Sequence, residues 1–217
     1  MVEPGMTRIQ RDGELRSFDP GGSPSKDIYK LMVGAIVPRP IAFVSTVDEH
    51  GIYNLAPFSY FSAVCSTPAT VLFCAAVRTA ADGKKDTLRN VLATREFVIN
   101  IVSEEIAAQM NQTAAEVGPE VDEFELSGLT PLPGSLVRAP RVAESPVQME
   151  CALREVVTIS DQPGGASIVI GEVLRFHVRA DLVDDFRIDA DKLKAVGRMG
   201  GPTYCRTQDR FDLERPT

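Results

Sequence analysis

A chain of 217 residues suits one domain with a full core, and 44% hydrophobic against 24% charged residues is the balance of a soluble globular protein. The formal net charge of −7 argues against sequence-independent binding to nucleic acid, which needs an excess of Lys and Arg. No apolar run approaches the ~18 residues of a membrane-spanning helix. Met1–Asp27 is polar and has no hydrophobic signal segment. Cys65, Cys74, Cys151 and Cys205 form no Cys-x-x-Cys pair, so a zinc site or redox dithiol is not supported and the chain reads as reduced and cytoplasmic.

Residues 1–27, with glycines and prolines among charges, read as a mobile arm or a wrap over a neighbour. Ser25-Lys26-Asp27 is expected to start a short helix, Ile28–Met32, closed near Gly34. Pro38-Arg39-Pro40 marks a sheet edge or bulge, because proline supplies no N–H donor. Ile41–Thr46 reads as strand and Asp48–Gly51 as the turn that follows, with His50 solvated.

Asn54–Val77 is the stretch on which the chain is organised. Ala69–Val77 is almost wholly apolar and reads as a buried strand. Before it, Ser59, Tyr60, Phe61, Ser62, Cys65, Ser66 and Thr67 mix aromatics with small polar groups. Such a strand end suits a planar, phosphate-bearing ligand, and equally an ordinary core strand with a polar turn. In Arg78–Thr87, Asp86 or Thr87 caps a helix whose Leu88, Val91 and Leu92 share a face. Lys85 just before that helix makes an anion site, or else part of a solvated basic loop.

Glu96–Val102 reads as strand, and Ser103 as the cap of a helix bearing Ile106 and Met110. Val117–Pro140 is expected to be an irregular loop over the body. Val147–Ile159 alternates, with Gln148, Glu150 and Arg154 on one side and Val147, Met149, Cys151 and Leu153 on the other. It turns at Gln162–Gly165 and returns as Ser167–Val178, with His177 as a structural residue at the strand end. Cys74 and Cys151 read as inert core thiols. Gly200-Gly201, between Arg198 and Tyr204, allow close backbone approach to another surface.

Hairpins outnumber strand–helix–strand units, so the fold expected is mainly β: an antiparallel barrel with peripheral helices. No dinucleotide-binding Gly-x-Gly-x-x-Gly follows a strand, and neither a Gly-x-Ser-x-Gly nor a phosphate-loop motif is present.

Seven ordered motifs carry a resemblance. They are Pro38–Thr46, Asn54–Phe61, Lys85-Asp86-Thr87 leading into Asn90, Phe97–Asn100, Glu144–Val147, Gly171–Val173 and Arg198–Gly201. In this order they resemble the flavin reductase-like family of FMN-binding split-barrel proteins, over roughly Ile28 to Tyr204. The resemblance implies a domain of residues 28–204, followed by a tail of 205–217. It further implies a six-stranded antiparallel split barrel, a homodimer with flavin at the interface, and NADH or NADPH as reductant. FMN is the flavin implied, with FAD the alternative, and a flavin-dependent monooxygenase is the partner to consider.

Carried over by position, the flavin ring lies against Arg39, Pro40, Ile41 and the backbone of Asn54, Leu55, Ala56, Pro57 and Phe58. Ser59, Cys65 and Ser66 sit near the ribityl chain or phosphate, and Lys85, Asp86 and Thr87 form the phosphate cradle. Arg198 and Tyr204 approach the ring or the reducing cofactor. Two positions depart from the family pattern: Cys65 stands where serine is usual, and Pro202 where a polar residue is common. Activity then resides in the flavin, with no catalytic side chain, and the alternative is a flavin-binding electron carrier without nicotinamide turnover.

Overall fold

The computed structural model describes residues 13–77 and 84–216. Residues 1–12, the first part of the expected arm, and 78–83, the first part of the expected basic loop, lie outside the described residues. The molecule is mainly β. Among the described residues, seven strands form one antiparallel sheet: β1 (Ala42–Val47), β2 (Tyr53–Phe58), β3 (Phe61–Ser66), β4 (Ala69–Ala76), β5 (Glu96–Ile101), β8 (Val147–Thr158) and β9 (Ala166–Val178). Three short ribbons pair β6 (Pro131–Leu132) with β7 (Arg141–Val142), β10 (Val183–Asp184) with β11 (Arg187–Ile188), and β12 (Val196–Arg198) with β13 (Tyr204–Arg206). The α-helices are α1 (Ser25–Ala35), α2 (Asp86–Thr94), α3 (Ala107–Gln112), α4 (Glu123–Ser127) and α5 (Ala190–Leu193).

The spatial order is β2-β1-β5-β8-β9-β4-β3. Strands β2 and β3 stand at opposite ends of that order, yet only Ser59 and Tyr60 separate them in sequence. The sheet must therefore curl until its two ends meet. Phe58 of β2 packs on Phe73 of β4 with ring centroids 4.9 Å apart, and the Cys74 N–H donates to the Tyr60 carbonyl at 2.9 Å. The sheet has seven hydrogen-bonded strands where the family resemblance implies six; β2 and β3 are the consecutive pair that meets at the closure.

One core fills the curl, from Val44, Phe58, Phe73, Phe97, Ile99, Met149, Cys151 and Val169, with Leu88 and Val91 of α2 packed in. A second core lies on the other face of β1 and β2, where Ile41, Phe43 and Leu55 meet Ile106, Met110 and Phe124. Strand β1 is thus buried on both faces, which explains why Ala42–Val47 lacks polar alternation.

Several local expectations change. Helix α1 begins at Ser25, within the expected Ser25-Lys26-Asp27 start, and these residues belong to the helix, which runs to Ala35. Ser103 starts a 3-10 turn without a side-chain cap bond, and Leu92 is exposed rather than sharing the face of Leu88 and Val91. The stretch expected as loop holds α4, capped by Asp122 accepting from the Phe124 N–H at 2.8 Å and closed by Gly128 at φ 70°. A helix of five residues is too short to show a period, so only the packing of Phe124 reveals it. On β8, Gln148 and Glu150 are buried along with the apolar side, because the segment after β6 covers their face. Cys151 is fully buried, whereas Cys74 is only half-buried.

Candidate functional site

Strand β2 carries the site. Asn54 and Leu55 are buried, while Ala56 and Pro57 stay half-exposed beside two adjoining cavities. The larger, about 220 Å³, is lined by Tyr29, Ile41, Pro57, Ser59, Met110, Asn111, Ala114, Arg198 and Tyr204. The smaller, about 80 Å³, is lined by Asn54, Ala56, Pro57, Lys85, Asp86, Thr87, the segment 113–116 and Glu123. Pro57 and Ala114 line both, so the two cavities adjoin at these residues.

Ile41 and Pro57 give the larger cavity an apolar wall. In the same lining the β12–β13 hairpin pairs Arg198 with Tyr204 and places the guanidinium 4.4 Å from the phenol ring centroid. The Tyr204 hydroxyl donates to Asn111 Oδ1 at 3.1 Å, tying the hairpin to the end of α3. A planar guanidinium stacked on an aromatic face beside an apolar wall suits a flat ring ligand.

The smaller cavity rests on a buried network. Asn54 Nδ2 donates to Glu123 Oε1 and Oε2 at 2.9 and 3.0 Å, and the Leu55 N–H donates to Oε2 at 3.0 Å. Asn54 Oδ1 accepts from the hydroxyls of Thr87 at 2.7 Å and Thr46 at 3.3 Å. Burial pushes the Glu123 carboxyl above the usual carboxylate range, the bonds from Leu55 and Asn54 oppose this, and Asp86 adds to the rise. Lys85, half-buried, lies with its ammonium 5.2 Å from the Phe58 ring centroid, immediately before α2. The positive end of the α2 dipole and the Lys85 charge together favour an anion at this end. Thr87 corrects one expectation: its hydroxyl proton goes to Asn54, not outward.

Six residues expected at the ligand line neither cavity. Leu55 and Phe58 turn into the two cores. Pro40 is exposed. Cys65 and Ser66 are exposed at the far end of β3, where the Cys65 thiol donates to the Pro68 carbonyl at 3.1 Å. Arg39 is buried, and its guanidinium is committed to protein oxygens. Conversely, Tyr29, Asn111, Ala114 and Glu123 line these cavities without having been expected there. Nothing in the local sequence marks Glu123, since its partners Asn54 and Leu55 are 69 and 68 residues away.

A separate groove of about 860 Å³ runs past His177, Arg141, Arg179 and Gln148. Beside it Glu150, wholly buried, accepts from the N–H groups of Ser135, Leu136 and Val137 at 2.8, 2.6 and 3.1 Å, and meets His177 Nε2 at 2.6 Å. Burial would raise this carboxyl, but the hydrogen bonds from Ser135, Leu136, His177 and Val137 hold it down at about 2. His177, expected as a structural residue at the strand end, is held there by Glu150 at the edge of the groove.

The flavin reductase like domain family matches residues 33–193. A protein of Aquifex aeolicus, described only as uncharacterized, is 41% identical over 180 residues, covering 82% of this chain and 89% of its own. Nitrilotriacetate monooxygenase component B from Bacillus cereus superposes with a TM-score of 0.89 at 36% identity, over 93% of this chain and 100% of that one. Pseudomonas fluorescens 2-nitrobenzoate 2-nitroreductase NbaA superposes with a TM-score of 0.83 at 32% identity, over 93% and 97% of the two chains.

Proposed function

We propose, on the premise that this chain belongs to the flavin reductase-like family, that it is an FMN-binding oxidoreductase taking hydride from NADH or NADPH. The residues present fit a flavin. An apolar wall, a stacked guanidinium and a hydroxyl suit the flat ring, and the adjoining recess offers Lys85 at a helix start to a charged tail. The observation that carries this reading is that a cavity with Ile41, Pro57, Arg198 and Tyr204 adjoins, at Pro57 and Ala114, a second one lined by Lys85 at a helix start.

A bound flavin supplies the redox chemistry, accepting hydride from the nicotinamide and passing electrons on. The chain's own part is to bind and orient. Ile41 and Pro57 would support the ring, and Arg198 with Tyr204 would flank it or the incoming nicotinamide. Lys85 would hold the phosphate by a charge-assisted contact. Asn54, fixed by Glu123, Thr46 and Thr87, holds the β2 backbone rigid where it meets the ligand.

The finer features follow the same reading: FMN rather than FAD, a cytoplasmic homodimer with flavin at the interface, and a domain of 28–204 between an arm and a tail. Delivery of reduced flavin to a monooxygenase is supported by the likeness to a monooxygenase component B. The visible spectrum of the purified protein, identification of released chromophore and steady-state oxidation of each nicotinamide with added FMN test it together. Protein that is colourless and takes up neither FMN nor FAD overturns the reading. Flavin bound without turnover of either donor leaves the electron-carrier alternative.

A further inference from the structure

Arg39 is 4% exposed, and its hydrogen-bond partners among the described residues are all neutral oxygens. Nη1 donates to the carbonyls of Val33 at 2.8 Å and Ile36 at 2.9 Å, at the negative end of the α1 dipole. Nη2 donates to the Met199 carbonyl at 3.0 Å, in the turn of the β12–β13 hairpin. Nε donates to Ser59 Oγ at 3.3 Å. Its backbone also pairs with Arg198, the Arg39 N–H donating at 3.0 Å and the Arg198 N–H donating back at 2.9 Å.

One buried side chain therefore joins α1, the hairpin and the β2–β3 corner, and each contributes a wall to the larger cavity, through Tyr29, through Arg198 and Tyr204, and through Ser59. A guanidinium can only donate, so Ser59 accepts from it and directs its own proton elsewhere. The geometry points to Arg39 as the positioning residue of this cavity: it holds three walls in register, presents Ser59 as a donor to a ligand oxygen, and places a buried positive charge beside a ligand that gains electrons. The last two statements rest on the flavin reading; the first does not.

The test uses the full chain and the variants Arg39→Lys, Arg39→Met and Ser59→Ala. In ligand-free protein, hydrogen exchange in Arg39→Lys rises in residues 29–36 and 198–204 while β8 and β9 keep their protection. FMN affinity falls on the order of tenfold in Arg39→Lys, as loss of charged hydrogen bonds implies. In Ser59→Ala affinity falls with exchange unchanged. The midpoint potential of the bound flavin is lower in Arg39→Met than in Arg39→Lys, a difference that a purely structural residue would not produce. Exchange rising equally across the whole sheet, or equal FMN affinity in wild type, Arg39→Lys and Ser59→Ala, overturns the assignment. If wild type takes up no flavin, the proposed function fails, and the exchange pattern alone decides whether Arg39 holds the walls.

Discussion

Replacing Glu150 with Gln removes a charge and leaves the shape almost unchanged. The wild-type carboxylate accepts from three backbone N–H groups and meets His177. The amide puts an NH₂ where one oxygen accepted, so at least one buried N–H then faces another donor. The carboxyl drops from its ordinary 4.5 to about 2 in the folded chain. That difference is worth about 3 kcal/mol of stability at neutral pH. Because the folded-state value is depressed, this stability is complete above the unfolded value and is lost as pH falls from about 4.5 towards about 2. About 1.4 kcal/mol of it is gone by pH 3.5. Glu123, which burial shifts the other way, is present in both proteins and cancels in their difference. Urea unfolding of wild type and Glu150→Gln, at pH 7 and pH 3.5, measures the effect. The expected gap is about 3 kcal/mol at pH 7 and roughly half that at pH 3.5. A gap that stays the same at both pH values refutes the reasoning, since a loss of packing alone carries no proton.

Lys85→Ala should weaken FMN binding by on the order of 1.5–3 kcal/mol through loss of a charge-assisted contact, and unchanged affinity in a calorimetric titration would remove Lys85 from the phosphate end. Glu123→Ala strips the acceptor from Asn54 Nδ2 and the Leu55 N–H. With each orphaned buried donor costing ~1–3 kcal/mol, chemical denaturation should show a loss of roughly 2–4 kcal/mol. Gly171→Ala would drive a methyl into the Phe97 ring at the centre of the curled sheet. Overpacking of this kind costs about 1–3 kcal/mol, and a melting temperature equal to wild type would show that the ring moves aside freely.

By itself the sequence determined five of the seven sheet strands and their order along the chain, but not the division of the stretch before β4 into β2 and β3. Apolar runs, proline and glycine breaks and the hairpin turns are local signals, and β4, β8 and β9 begin and end within a residue of where those signals place them. The start of α2 was legible to within a residue, although Lys85, not Asp86 or Thr87, stands at its N-cap. The ordered motifs also imply Pro57, Ser59, Lys85 and Arg198, which line the two adjoining cavities. Only the tertiary structure decided what the buried charges do. Glu150 looked like the solvent side of an alternating strand, because the three N–H groups that hold it come from a segment 13 to 15 residues away. Glu123 and Arg39 reach partners up to 69 and 160 residues distant. A strand's period says which way a side chain points, but not what the rest of the chain lays over it. The desolvation and the hydrogen bonds that give a buried charge its role exist only once those distant segments have met.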